Sequence, residues 1–112
     1  MQYIYTVTTI RNKEANKHNR TVGWFVEQEK AFRCLDENWG DLIESGYYQY
    51  AVVEKVPSGL YPDTLSEDGD QRRWFWQAFR EGDKEFWKRI DSEPDELKPE
   101  GAGGWTSYCE IG

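Results

Sequence analysis

The chain is poor in the residues that build metal, redox and hydrolytic centres: its 112 residues include one histidine and two cysteines. A lone histidine, His18, cannot supply a His-rich zinc or iron site. Catalysis of the Ser–His or Cys–His type needs a histidine held by a third group, and a polar loop is a poor place for one. Cys34 and Cys109 are too few for a disulfide scaffold, so we expect two free thiols that act as small buried hydrophobes. The sequence thus predicts no catalytic residue, no metal site and no cofactor.

Long apolar runs and nucleotide-binding motifs are missing as well. No run approaches the ~20 apolar residues of a membrane span, and the N-terminal MQYIYTVTTI lacks the basic and apolar regions of a signal peptide. The chain has no G-x-G-x-x-G, Walker or H-E-x-x-H motif, and GAGG at 101–104 is not followed by a helical pattern. We therefore expect a cytoplasmic protein that binds no membrane and keeps its thiols reduced.

Acidic residues outnumber basic ones by 21 to 14, which gives a net charge of −7. The excess is uneven, because residues 1–25 hold four basic residues and one acid. An acidic body repels phosphate groups, so we expect no direct contact with nucleic acid. The same charge suits a partner protein with a basic surface, although it can also serve solubility alone.

Aromatic residues make up 16% of the chain, so a core can form with few aliphatic side chains. The length fits a single domain over residues 1–112. Alternating β-branched and aromatic residues predict two strands, at 2–10 and 21–26, that pair as a hairpin. The polar residues 11–20 between them are predicted to form a loop, and Gly23 indicates a bulge or a close backbone approach.

The stretch 46–61, GYYQYAVVEKVPSGLY, predicts the strand around which the fold is organised. Both faces of an extended chain carry apolar residues here, which is typical of an interior strand. Pro57 removes a backbone donor and ends the strand, and Ser58–Gly59 predicts a turn. One face is predicted to carry Tyr48, Tyr50, Val52 and Val56, and the other face Ala51 and Val53.

A second hairpin is predicted from residues 72–80 and 85–90, joined at 81–84 by a glycine-containing turn of the longer type. Alternation places Phe75 and Phe79 on one face of its first strand. The opposite face is predicted to carry Trp74, Trp76 and Ala78. The remaining predicted segments are an acidic loop at 62–71, a loop at 91–104 with a short helical turn at 95–98, and a last strand at 105–111.

Residues 27–45 predict the main helix, because apolar side chains recur there at helical spacing. Gly46 is expected to end this helix in a left-handed conformation. Gly40 weakens the pattern, and a break at 38–40 followed by a restart at Asp41 is the alternative. The apolar stripe consists of Ala31, Leu35, Trp39, Leu42 and Ile43, flanked by Phe32 and Cys34.

Together these patterns predict an α+β protein: an antiparallel β-sheet of five to six strands with one main helix packed on one face. The sheet face away from the helix still carries aromatic residues. This second face forms either a small core under the acidic loops or an exposed patch that binds a ligand or a partner.

Two groups of acidic residues form the predicted partner-binding surface. The first group lies on the polar side of the predicted helix, and the second lies in the acidic loop. The loop lacks the D-x-D-x-D-G run and the terminal glutamate of a calcium site, so we expect no metal there. The residues are Asp36, Glu37, Asp41 and Glu44 on the helix, and Asp63, Glu67, Asp68 and Asp70 in the loop.

An arginine–tryptophan cluster at the start of the second hairpin provides an alternative site. Guanidinium groups and indole rings can together hold an anionic aromatic ligand such as a nucleotide. The same residues can instead form a strand with arginines at its solvent end and tryptophans in the core. The cluster consists of Arg72, Arg73, Trp74 and Trp76.

Three motifs carry a resemblance to a family: G-W-F at 23–25, N-W-G-D-L-I-E-S-G-Y-Y-x-Y-A-V-V-E-K-V-P-S-G-L-Y at 38–61, and W-F-W at 74–76. Over about residues 1–90 the chain resembles a family of small uncharacterised phage and prophage proteins. The resemblance implies a bacterial host cell, but no activity and no site residues. Small accessory phage proteins often bind and block a host defence protein, and this likeness is an association only.

We therefore expect a non-enzymatic acidic binding protein, phage- or prophage-encoded, that inhibits a host defence protein such as a CRISPR effector. Its partner would be a host protein with a basic surface, and a homodimer is compatible with the sequence. One alternative is a protein that sequesters a nucleotide signal through the arginine–tryptophan cluster. Another is an acidic immunity protein that neutralises a basic toxin. An enzyme is disfavoured because no acid, base and nucleophile set is present.

Overall fold

The computed structural model describes residues 3–13, 16–57, 73–97 and 108 of the chain. Within these residues, five strands form one antiparallel sheet in the order β2-β1-β3-β4-β5, and an α-helix packs on one face. The predicted α+β architecture is therefore confirmed. The elements are β1 (Tyr3–Lys13), β2 (Asn16–Phe25), α1 (Gln28–Asp36), β3 (Tyr50–Pro57), β4 (Arg73–Glu81), β5 (Lys84–Ile90) and a short 3-10 helix (Asp95–Leu97).

The strand β3 lies at the centre of the sheet, as the sequence predicts. It pairs with β1 along one edge and with β4 along the other. Val52 and Val53 point to opposite faces, and both are fully buried. A strand that is covered on both faces needs apolar side chains at successive positions, and the sequence Y-A-V-V supplies them.

The first hairpin is longer than its apolar pattern suggests. The prediction of a loop at 11–20 is wrong, because β1 continues to Lys13 and β2 begins at Asn16, opposite it. A ladder of backbone hydrogen bonds needs no apolar side chains, so the polar ends of both strands leave little trace in the sequence. The bulge expected at Gly23 is confirmed: Val7 pairs with Gly23 and Thr8 with Thr21, so β2 has one extra residue.

The helix ends nine residues before its predicted last position, at Asp36. The chain then runs through turns, and no second helical segment begins at Asp41. Gly46 does have a φ of +90°, but it lies too far along the chain to cap α1. The physical reason is a series of left-handed residues, which a right-handed helix cannot contain. They are Asn38, Gly40, Asp41, Glu44, Ser45 and Gly46.

The main core lies between α1 and the sheet. Phe32 packs edge-on against the rings of Trp74 and Trp76, with both centroid separations at 5.2 Å. Tyr48 also belongs to this core, so its predicted place beside Tyr50 is wrong. The strand begins only at Tyr50, and the alternation of faces does not extend back into the turns. The buried members are Val7, Ala31, Cys34, Leu35, Ile43, Tyr48, Ala51, Val53, Trp74, Trp76 and Trp87.

The opposite face of the sheet carries a second, smaller core. Its buried residues come from β1, β3 and β4, and they are covered in part by residues that follow β4 in the chain. The aromatic second face is thus packed rather than open at these positions. The buried residues are Ile10, Tyr50, Val52 and Phe75, and the residues packed against them are Ile90, Leu97 and Tyr108.

The second hairpin has a tighter turn than predicted. Glu81 pairs with Lys84, which leaves a two-residue turn in place of the longer type. Gly82 has a φ of +63°, the left-handed conformation that such tight hairpin turns require. The short helical turn expected at 95–98 is confirmed at Asp95–Leu97. The turn at Ser58–Gly59, the acidic loop 62–71, Cys109, and the last strand 105–111 apart from Tyr108 lie outside the described residues.

The buried thiol of Cys34 should be unreactive in the folded protein. Burial raises its pKa from 9.0 to about 11, which lowers the thiolate fraction at pH 8 about a hundredfold. In a Cys109→Ser variant, we expect negligible reaction with Ellman's reagent at pH 8 and rapid reaction once urea unfolds the chain. A native protein that reacts as fast as the unfolded one would contradict the burial of Cys34 on the core-facing side of α1.

Candidate functional site

Four of the eight predicted partner-binding acids lie in one stretch of the chain, residues 36–44, which we call the acidic segment. Asp36 is the last residue of α1, and Glu37 follows it directly. Asp41 and Glu44 lie in the turns that lead to β3, and both have left-handed backbone conformations. All four are exposed, as predicted. The loop acids Asp63, Glu67, Asp68 and Asp70 lie outside the described residues.

The carboxylates of the acidic segment differ in their partners. Glu37 Oε2 lies 3.0 Å from Arg33 Nε, and Glu44 Oε2 lies 3.0 Å from Arg20 Nη1. Both of these ion pairs are largely exposed, so each contributes little to stability, and each carboxylate has a cation beside it. Asp36 accepts a hydrogen bond of 2.9 Å from the indole N–H of Trp76. Asp41 accepts one of 3.3 Å from the side-chain amide of Asn38. Neutral donors leave the full negative charge on these two carboxylates.

Glu37 is held in its ionised form. Its pKa lies below the usual value, chiefly because the indole N–H of Trp39 donates a hydrogen bond to the carboxylate and also because Arg33 donates another. The carboxylate of Glu37 therefore stays ionised to a lower pH than an ordinary glutamate does.

Two surface grooves flank the acidic segment. One, of about 430 Å³, runs between the end of α1 and the β4–β5 hairpin. The other, of about 560 Å³, lies against β2. Their charged lining residues are six carboxylates and two cations. The carboxylates are Asp36, Glu37, Glu81 and Glu85 in the first groove and Asp41 and Glu44 in the second, and the cations are Lys84 and Arg20 respectively.

Trp39 is a surface residue that the helical pattern misplaces. The apolar stripe predicts it in the core, but 39% of it is exposed, because α1 ends three residues earlier. Its ring packs edge-on against Phe25 at a centroid distance of 6.0 Å, and its indole N–H donates to Glu37 Oε1. The flanking Asn38 and Gly40, which favour left-handed turns, were the signal in the sequence that could have placed it outside the helix.

The arginine–tryptophan cluster is not brought together by the fold. Trp74 and Trp76 lie in the main core, where Trp76 is fully buried. Arg73 points to the other face of the sheet, because successive residues of a strand alternate. Its Nε lies 3.2 Å from Glu54 Oε2. Arg72 lies outside the described residues. The three described members therefore do not line a common ligand pocket.

Glu54 is a buried carboxylate that sequence reasoning missed. It lies on the central strand β3, is 0% exposed, and forms the ion pair with Arg73. Its carboxylate also accepts the backbone N–H of Tyr108, at 3.0 Å to one oxygen and 3.1 Å to the other. Charge-assisted bonds of this kind make burial of a carboxylate tolerable. We interpret Glu54 as structural: it fixes Tyr108 against the second core.

Two phenol–carboxylate pairs lie on the same face of the sheet as this ion pair. The hydroxyl of Tyr50 donates to Glu96, and that of Tyr108 donates to Glu93. Burial, followed by these carboxylates, raises the pKa of Tyr50 to about 12 and also raises the pKa of Tyr108. The pairs connect the segment after β5 to the second face of the sheet.

The remaining features that could point to a known class of protein are the single histidine, metal ligands, membrane spans and similarity to known proteins. His18 is exposed, and its ring stacks on Tyr48 at a centroid distance of 6.2 Å. Among the described residues, no group of three His, Cys, Asp or Glu side chains is arranged to hold a metal ion. The helices in the described ranges are too short or too polar to cross a membrane. Comparison with protein-family models, curated proteins and solved structures gives no significant match.

Removing the buried carboxylate of Glu54 should destabilise the fold strongly. Glu54→Gln removes the negative charge that lies 3.2 Å from Arg73 Nε on a largely buried site, and breaking a buried ion pair in this way costs about 3–5 kcal/mol. We expect a corresponding fall in the free energy of unfolding, measured by urea denaturation. Glu29→Gln, at an exposed position of α1, is the matched control and should leave the midpoint unchanged. Equal midpoints for both variants would contradict the role of Glu54.

The two shielded phenols should make the fold sensitive to high pH. A phenol whose pKa is raised by folding contributes stability that is complete below its unfolded pKa of about 10. That stability is lost as the pH rises through the folded value of about 12 for Tyr50. We expect the free energy of unfolding to fall between these pH values in the wild type. The fall should be smaller in Tyr50→Phe and Tyr108→Phe, and an equally steep fall in both variants would contradict the assignment.

Proposed function

We propose that the chain is a non-enzymatic binding protein that docks its acidic segment on the basic surface of a partner protein. The observation that supports this most directly is the lining of the two flanking grooves by six carboxylates and two cations. Such an excess of one charge speeds association with a surface of the opposite charge and rejects partners of like charge.

The acidic segment also has a feature of a contact surface beyond its charge. Trp39 is partly exposed beside Glu37, and its orientation is fixed by the hydrogen bond to that residue and by Phe25. Tryptophan is enriched among the residues that contribute most to protein–protein binding. A rigid, half-exposed indole among carboxylates suits a partner that presents basic side chains around an apolar spot.

The backbone of the acidic segment supports the same proposal. Asp41, Glu44 and Ser45 have φ values of +55°, +51° and +54°. For a residue with a Cβ, the left-handed region costs roughly 1–2 kcal/mol. Conformations of this cost cluster at functional sites, and here they present two of the four carboxylates.

The resemblance to small phage proteins makes a bacterial host defence protein the partner that we propose to test first. Its basic nucleic-acid-binding groove would be the surface that the acidic segment occupies, and binding there would inhibit it. A basic toxin would be recognised by the same chemistry, so the identity of the bound partner separates counter-defence from immunity. The nucleotide-sequestering alternative receives no support from geometry, because Arg73 and the two tryptophans face opposite ways.

Neutralising the acidic segment should abolish partner binding. The test variant combines Asp36→Asn, Glu37→Gln, Asp41→Asn and Glu44→Gln. We expect wild-type protein to capture from a bacterial lysate a partner that mass spectrometry identifies as having a basic surface. Raising the salt from about 0.05 M to about 0.5 M should weaken this capture at least tenfold, because salt screens exposed charges. The test variant should capture none of it.

A second variant with the same change in net charge controls for non-specific attraction. It combines Glu27→Gln, Glu29→Gln, Asp83→Asn and Asp91→Asn, all of which are exposed outside the acidic segment. We expect it to retain most of the binding. Equal loss in both variants would mean that net charge rather than this surface drives association. Capture that is insensitive to salt would overturn the proposal.

A further inference from the structure

The sheet has a gap beside Phe79, near the end of the β4–β5 hairpin. The register of β3 against β4 pairs Tyr50 with Gln77, and by the same register the place opposite Phe79 belongs to Tyr48. However, β3 begins only at Tyr50, and the side chain of Tyr48 lies in the main core. On its other side Phe79 pairs with Phe86 of β5. Among the described strands, Phe79 therefore has a paired neighbour on one side alone.

A groove of about 440 Å³ lies at this gap, and its lining includes Tyr48, Gln77 and Phe79. Phe79 is 39% exposed, although it is a large apolar residue. Its ring stacks on the ring of Phe86 with a centroid separation of 6.2 Å and an angle of 20° between the planes. Phe86 thus supports the ring from the β5 side. An exposed, supported aromatic ring beside a groove offers a surface on which a planar aromatic ligand can stack.

Two polar side chains lie next to Phe79 on the same face of the sheet. Gln77 is its neighbour on that face of β4, and Lys88 pairs with Gln77 across the hairpin. Gln77 is half-buried and lines the groove, and its carboxamide presents an acceptor and donors in one plane. Lys88 is exposed, and its Nζ lies 5.3 Å from the centre of the Phe79 ring. A planar ligand with a hydrogen-bonding edge and an anionic group matches these three side chains.

The charges at this end of the hairpin favour a small anion over a long one. Strand pairing places Lys84, Lys88 and one acid, Glu81, on the face that carries Phe79. Glu96 also lies over this side of the sheet, but Asn12 of β1 holds its backbone oxygen. A single phosphate group therefore meets lysines here, whereas the net charge of −7 repels a long chain of phosphates.

We propose that this groove binds the adenine ring of a free nucleoside monophosphate, stacked on Phe79, with its phosphate against Lys88. Adenine fits the site because its amino group and its neighbouring ring nitrogen match the acceptor and the donor of a glutamine carboxamide, which Gln77 supplies. The site is separate from the arginine–tryptophan cluster, and it uses no carboxylate of the acidic segment. It gives the chain a second ligand besides the partner of the proposed function.

The test is a titration of the full chain with adenosine 5′-monophosphate, followed by amide chemical shifts in ¹⁵N-labelled protein. Adenosine serves as the arm without phosphate, and ribose 5-phosphate as the arm without a base. We expect the monophosphate to shift the signals of Gln77, Phe79 and Lys88 in a saturable manner and to bind more tightly than adenosine. Ribose 5-phosphate should give no saturable shift. Added salt should weaken binding of the monophosphate and leave adenosine unaffected.

Two variants test the stacking and the charge separately. Phe79→Leu should weaken binding of both adenosine and its monophosphate about tenfold, because a base loses its stacking surface. Trp24→Leu, which removes another exposed aromatic residue, is the matched control and should change neither. Lys88→Gln should weaken binding of the monophosphate about tenfold and leave adenosine unchanged, since the lost contact is to the phosphate. Lys30→Gln, at an exposed position of α1, is its matched control. A loss confined to the monophosphate cannot arise from misfolding.

Several outcomes would contradict the proposal. Absence of a saturable shift with the monophosphate, or unchanged affinity in Phe79→Leu, would overturn the site. Equal affinity for inosine 5′-monophosphate, which has a carbonyl in place of the amino group, would overturn the assignment of adenine. Tighter binding of a deoxyadenosine octamer would overturn a free nucleotide as the ligand.

The lysate capture experiment stands apart from these measurements. Phe79→Leu should capture the basic partner as the wild type does, and the variant with a neutralised acidic segment should still bind the monophosphate. Failure of either proposal therefore leaves the other to be judged by its own experiment.

Discussion

The strand β3 is covered on all sides: a strand pairs with each of its edges, and a layer of side chains packs on each of its faces. These contacts position the elements that pack around it. β1 and β4 supply its backbone partners. On one face Val53 packs in the core beneath α1, and on the other Val52 packs in the core that Tyr108 helps to cover. Because apolar side chains cover β3 on both faces, most charged residues lie at the rim, and the buried Glu54 is paired with Arg73. The acidic segment and the β4–β5 hairpin lie there.

The left-handed stretch after α1 connects the core to that rim. A helix that continued past Asp36 would run on along a straight axis and take Ile43 and Tyr48 away from the main core. The turns instead return both side chains to that core. The backbone N–H of Ile43 is met by the side-chain oxygen of Asn38, which closes one of these turns. The cost of the left-handed residues is offset by this burial, and the polar residues between the two anchors are presented to solvent. The position of Glu44 is therefore a consequence of how the core is completed.

The strands whose side chains alternate could be predicted from the sequence, and so could the packing of a helix against them, because period-2 and period-3.6 patterns reflect burial directly. The polar ends of the first hairpin could not, since their pairing depends on backbone hydrogen bonds. The helix was extended too far because Leu42 and Ile43 continue its spacing, although they reach the core through turns. The acids in residues 36–44 are exposed as predicted in spite of this error. A polar residue at the rim of the fold is exposed whether the chain there is helical or forms turns. The grooves beside them depend on contacts with β2 and the β4–β5 hairpin, which no local pattern reveals.

The two largely buried glutamates differ in how completely the fold satisfies their carboxylates. Glu54 and Glu85 both lie on strands, and each pairs with an arginine, Arg73 and Arg80 respectively. Glu54 accepts from Arg73 and from the backbone of Tyr108, so its carboxylate is held from within the chain. Glu85 has Arg80 at one oxygen, and its other oxygen is buried without a donor among the described residues. Arg11 Nε and Trp87 Nε1 are also buried without a partner in this part of the chain. Because such an atom loses its hydrogen bonds to water, each costs free energy. Incomplete pairing therefore occurs at several buried positions of this fold and does not by itself mark a binding site.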